Sequence, residues 1–165
     1  GRSLYLEDEN DVDDDNDGIA VTHPDFGRVV IDWSDFEVIE FEPVPEGFIP
    51  NYASFNAIEP LSGSVISREG ASLDGQLVFD LDESYTFELL QGYLASSKFE
   101  IPFSLLDTLT VDGPYASTIR LKSGITLTLE VSQDVTYRNS GVLVQSDGED
   151  PKYLKWKNVS KIHFR

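Results

Sequence analysis

Apolar and polar residues alternate along this chain in short runs. Thr118-Ile-Arg-Leu-Lys122 and Ile125-Thr-Leu-Thr-Leu-Glu-Val131 each place their apolar side chains on one face, the pattern of a half-buried strand. Ser123-Gly124 between them predicts a hairpin turn. The same arrangement occurs earlier, with strands expected over 63–67, 72–80 and 85–91 and a turn at Glu69-Gly70. Residues 78–87 read as a further hairpin that turns at Asp82-Glu-Ser84. No window carries a convincing 3.6-residue apolar period, so an all-β chain with little helix is expected.

One motif breaks the alternation three times. Ile31-Asp-Trp33-Ser-Asp-Phe36, Ile101-Pro-Phe103-Ser-Leu-Leu106 and Leu154-Lys-Trp156-Lys-Asn-Val159 each set an aliphatic residue two before an aromatic and an apolar residue three after it. A three-residue step between strands predicts a single 3₁₀ turn that kinks the chain from one strand into the next. This step resembles the closing turn of Sm-like and SH3-like small barrels. Closure of that kind removes exposed sheet edges.

The motif belongs to a longer repeat. Residues 1–41 overlie 124–164 without a gap at an offset of 123, with 12 identities among 41 positions. Leu4, Asp11, Asn16, Gly18 and Trp33 meet Leu127, Asp134, Asn139, Gly141 and Trp156. A weaker match runs at an offset of 53 to 54, setting Val65, Leu73 and Asp80 over Ile119, Leu127 and Asp134. The chain therefore divides into a partial first copy (1–41), a proline-rich linker (42–60) and two full units (61–114 and 115–165). The partial copy lacks the counterpart of Ser117–Lys122. Tandem five-stranded small barrels, or a sandwich built from them, are the expected architecture. Phe48, Tyr52 and Phe55 in the linker are expected to pack on a barrel surface.

Composition narrows the function. The net charge of −18 argues against nucleic acid, whose binding requires phosphate neutralisation by Lys and Arg, and against anionic membranes. No apolar run is long enough to span a bilayer, so no membrane insertion is expected. With no cysteine there is neither a disulfide framework nor a thiolate site. The chain has no Met and no signal-peptide pattern, so removal of a targeting segment is an expectation. The acidity is uneven: residues 1–50 hold 15 acidic and 2 basic side chains, and residues 115–165 hold 5 and 8.

Gly-x-x-Leu-x-Leu, Asp-Val followed by Asn-x-Gly, and the Ile-Pro-Phe or Leu-x-Trp closing step together resemble a group of uncharacterised exported bacterial β-repeat proteins. Leu61-Ser-Gly-Ser-Val, 77–83, Ile101-Pro-Phe103 and Ser132-Gln-Asp-Val135 carry the resemblance, which covers nearly the whole chain. It implies a periplasmic or secreted setting and no particular activity, and no functional residues carry over from it.

The sharpest chemical candidate is Asp11-Val-Asp13-Asp-Asp15-Asn-Asp17-Gly18. Asp13, Asp15 and Asp17 are spaced like the first ligands of a calcium loop, with Gly18 at the sharp turn. The twelfth position, Pro24, is no bidentate ligand. The counterpart loop at 134–141 keeps Asp-Val and Asn-x-Gly without the three aspartates, which is the pattern of plain turn formers.

An enzyme is not expected. His23 and His163 are the two histidines, and no nucleophile elbow accompanies them. His163 is expected to point outward from a strand. Asp80, Asp82 and Glu83 cluster at an expected turn, where turn chemistry is the simpler explanation. Trp33, Phe103 and Trp156 are expected in the core, whereas Tyr5, Tyr93, Tyr115 and Tyr137 are the candidates for an exposed platform. Asn158-Val-Ser160 is a formal glycosylation sequon. The functional expectation is a non-catalytic exported module that binds a protein or a cell-envelope polymer, with self-association between copies of unequal charge. A calcium-binding adhesion-type module is the alternative, and a polysaccharide-acting hydrolase the third reading.

Overall fold

The computed structural model of the chain describes residues 18–40, 43 and 58–165. The aspartates at 13, 15 and 17, Tyr5 and the linker aromatics lie outside these residues. Among the described residues, β1 (Ile19–His23) and β2 (Gly27–Ile31) come from the first copy. The first full unit supplies β3 (Ser62–Ser67), β4 (Ser72–Phe79), β5 (Leu89–Leu94), β6 (Ser97–Pro102) and β7 (Leu106–Val111). The second supplies β8 (Ala116–Leu121), β9 (Thr126–Glu130), β10 (Val142–Gln145), β11 (Lys152–Leu154) and β12 (Val159–Phe164).

All described pairings are antiparallel, and the strands join one sheet in the order β1-β2-β6-β5-β9-β8-β7-β12-β3-β4-β10-β11. The chain is all-β, as its alternation predicts. The sheet is open, with β1 at one end and β11 at the other, and the two units do not form separate sheets.

That order contains a two-fold. β7 and β12 are the same repeat element 53 residues apart, and they pair at the centre with Leu109 opposite Ile162, its own counterpart. Moving outward, β8, β9, β5 and β6 on one side match β3, β4, β10 and β11 on the other. With the units divided at 61–114 and 115–165, the leading hairpin of each lies among the strands of the other. The β3–β4 hairpin lies between β12 and β10 of the second unit, and the β8–β9 hairpin lies between β7 and β5 of the first. The β1–β2 hairpin extends the sheet through β2 on β6, where Val29 faces its counterpart Phe99. Arg28 Nε and Lys98 Nζ both reach the buried Glu100 carboxylate there, at 2.7 and 2.8 Å.

The inward positions of both halves make one core, including Val65, Leu77, Leu109, Ile119, Leu129 and Ile162. Its centre is aromatic. Phe79, at the end of β4, lies 5.2 Å from Phe103 and 5.6 Å from Trp156, ring centre to ring centre, and Phe103 lies 5.6 Å from Phe164. Edge-on packing of this kind adds to area burial. The three kinks are 3₁₀ turns at Trp33–Asp35, Phe103–Leu105 and Trp156–Asn158. In each, the residue three after the aromatic donates its amide to that aromatic's carbonyl and resumes an extended conformation. Phe103 and Trp156 are buried as their repeat position requires. Trp33 is half-buried and packs on Phe36 at 6.0 Å.

The Ser123-Gly124 turn forms between β8 and β9, with Gly124 at positive φ. The turn expected at Asp82-Glu-Ser84 is displaced. The chain reverses at Asp80 and Leu81, which take φ of 49° and 71°, and an isolated bridge closes Phe79 onto Glu83. The return segment then leaves the ladder. Leu61 donates to Ser84 O and Ser104 to Thr86 O, each at 2.7 Å, so residues 84–88 stitch β3 to the turn after β6.

Candidate binding surface

Gly18 ends the acidic stretch just before β1. Gly18 has φ of +108° and its counterpart Gly141 +115°, values that only glycine adopts without strain. A Cβ at Gly18 would strike the Ile31 carbonyl, and one at Gly141 the Leu154 carbonyl. Residues 31 and 154 are themselves counterparts, so the two glycines hold the same backbone position. In the second copy, Asn139 Oδ1 accepts from Gly141 N at 2.8 Å and its Nδ2 donates to Asp134 O at 3.0 Å. Asp134 accepts from Gln91 N at 2.6 Å, joining this loop to β5 of the first unit. The retained Asp, Asn and Gly thus build a loop, and that role requires no ligand.

Asp80, Asp82, Glu83 and Asp134 come together beside this loop. Asp80 accepts from Gln133 Nε2 at 2.9 Å and from Ser140 N. The Glu83 carboxyl is pushed up to about 9 by burial, then by a hydrogen bond with Asp82 and by the charges of Asp134, Asp82 and Asp80. Burial likewise pushes Asp134 up to about 6, against the opposing effect of the Gln91 amide. These carboxyls fasten the β4 turn to the loop after β9. Among the described residues no group of three or more His, Cys, Asp or Glu side chains is arranged to hold a metal ion.

The histidines stand apart from this cluster. His23 stacks on Phe26 with ring centres 4.2 Å apart and accepts from Asp25 N. His163 is half-buried on β12, opposite Ser64 and Thr108. Asn158 of the sequon is exposed in the 3₁₀ turn at Trp156–Asn158. Among the described residues, no helix is long and apolar enough to cross a membrane.

The tyrosines expected at the surface divide. Tyr93 is half-buried, whereas Tyr115 and Tyr137 are 69% and 63% exposed. Their rings lie 5.8 Å apart at 89°. Tyr115 follows the β7–β8 turn, and Tyr137 follows the 3₁₀ turn at Gln133–Val135. Tyr137 N donates to Pro114 O at 2.7 Å, which fixes one loop on the other. Val131, at φ of 69° and 60% exposed, stands beside them. Arg138 donates to the Val131 carbonyl, and Glu130 adds an opposite charge across a shallow cleft of about 270 Å³. Two rigid aromatic faces, an aliphatic floor and charges of both signs suit polar recognition at a surface.

Val131 had no sequence signal as a surface residue, because it ends an alternating strand. A more apolar groove of about 400 Å³ lies under β1, β2, β6 and β9, between Val21, Val29, Phe99 and Leu127. Compared with protein-family models, with curated proteins and with solved structures, the chain matches none.

Proposed function

We propose that this chain is a non-catalytic, exported β-repeat module that binds a protein or a cell-envelope polymer through the Tyr115–Tyr137 cleft. Its units, of small-barrel type, are joined by hairpin exchange. The observation that carries the reading is the exposed tyrosine pair, held by a backbone hydrogen bond from Tyr137 to Pro114 between two loops although no core position requires it. Exposed tyrosines offer contact area at low entropic cost and are frequent anchors of binding. The carboxyl cluster supports structure, since two of its members accept backbone amides. The calcium reading of Asp13, Asp15 and Asp17 has weaker support, because Gly141 repeats the Gly18 backbone in a loop without those acids.

Co-sedimentation with purified peptidoglycan sacculi tests the polymer arm, and titration with envelope proteins tests the other. In whichever arm the parent binds, the Tyr115→Ala/Tyr137→Ala variant is expected to lose at least about tenfold in affinity, or about 1.4 kcal/mol. Its melting temperature should stay close to the parent's, as both side chains are exposed. Full binding by the variant, or no binding by the parent in either arm, would overturn the reading.

A further inference from the structure

The two-fold described above joins two of the three copies, and among the described residues the third has the corresponding segments without the cross-copy strand partners seen there. Phe36 to Glu40 occupy the repeat position of β7 and β12, with Ile39 in the place of Leu109 and Ile162. β7 and β12 pair with each other about those two residues. Among the described residues, Phe36 to Glu40 pair with no strand, and Val38 is 72% exposed. β1 shows the same lack. Its counterparts β5 and β10 are each covered by an exchanged hairpin strand, β9 and β4. The outer edge of β1 has no described neighbour, and Val21 on it is 42% exposed. Among the described residues, the first copy therefore leaves uncovered both edges by which the other two copies are joined.

We infer that two copies of this chain associate through their first copies. Phe36 to Glu40 of one pair antiparallel with the same segment of the other about Ile39, as β7 pairs with β12 about Leu109 and Ile162. The occupant is a second copy because both other strands of this class are already paired within the chain. Such a contact is isologous and closes on itself. The β7·β12 register, with Thr110 opposite Lys161 and Thr108 opposite His163, sets Glu40 beside Val38 of the partner and Ile39 beside Ile39. No like charges face one another directly, an arrangement that would destabilise the pair. The first copy as a whole holds 13 acids and 2 bases, so salt should strengthen the association by screening repulsion.

The chain has no cysteine, which makes the test simple. Light scattering at low and high salt is expected to show a mass rising from 18.4 kDa toward twice that value. An Ile39→Cys variant is expected to form a covalent dimer on mild oxidation, at least about tenfold faster than Asp147→Cys on the exposed far loop. Val38→Glu, which sets two glutamates side by side, should raise the dimer Kd at least about tenfold and leave the melting temperature of the monomer unchanged. A monomer at every salt concentration would overturn the inference. So would a dimer in which the Ile39→Cys variant couples no faster than the Asp147→Cys variant, or one that Val38→Glu leaves intact.

Discussion

Replacing Phe79 with alanine is expected to remove about 3–5 kcal/mol of unfolding free energy, the usual cost of truncating a buried aromatic. For a domain of this size that corresponds to a fall of roughly 10 °C in melting temperature. The loss is large because Phe79 has no solvent exposure and touches aromatic rings from both units, Phe103 of the first and Trp156 of the second. A cavity at this point has no single wall that can collapse into it. Thermal unfolding followed by near-ultraviolet circular dichroism checks the effect. One cooperative transition, shifted downward as a whole, is expected, since both halves share the core. Tyr153→Ala, at an exposed position on β11, serves as the control and should change stability by less than about 1 kcal/mol. A Phe79→Ala effect no larger than that of the control would mean that the two units do not share a core.

The second large effect is a stability that falls as pH rises. Glu83 and Asp134 both have folded values above their ordinary ones, about 9 against 4.5 and about 6 against 3.8. Between those limits the folded chain holds more protons than the unfolded chain, so unfolding free energy decreases with pH. The contribution is fully present only below pH 3.8, under both unfolded values. Asp134's part is lost as pH passes 6, and Glu83's part as it approaches 9. Glu83 is not fully enclosed, so solvent screening reduces the nominal cost to about 2 kcal/mol at pH 8. Urea midpoints across this range check the slope. Glu83→Gln keeps the shape without the charge, and is expected to flatten the profile and exceed the parent at pH 8. A variant with the parent's slope would show that the β4 turn does not bury this carboxyl.

Local geometry was legible in the sequence because local rules set it. The spacing of Trp156 and Val159 requires a short turn, and the alternation of 118–122 and 125–131 requires a hairpin. The Asn-x-Gly step reads correctly as a turn because glycine alone fits a positive φ beside a carbonyl. The displaced turn at 80–82 was not legible. Leu81 is a poor residue for positive φ by any local preference, and it adopts that value because Asp80 is held by Gln133 and Ser140 from the other unit. The hairpin exchange was hidden for a related reason. β4 presents the same alternating face whether it pairs with β5 or with β10, so the apolar pattern does not distinguish a closed unit from an exchanged one. Among the candidate residues, exposure of Tyr115 and Tyr137 could be inferred because they lie outside the repeated core positions. Their mutual approach depends on the Tyr137–Pro114 contact between loops distant in sequence.

Cross-strand disulfide formation between Thr110→Cys and Lys161→Cys tests the exchange most directly. Both positions are half-buried and face each other across the central β7·β12 pair, and the parent chain has no cysteine to interfere. A rapid bridge within one chain is the expected result, with stability retained. Failure of that bridge to form, together with a ready one between Ser64→Cys and Thr110→Cys, would place β7 against its own unit's first strand and contradict the exchanged sheet.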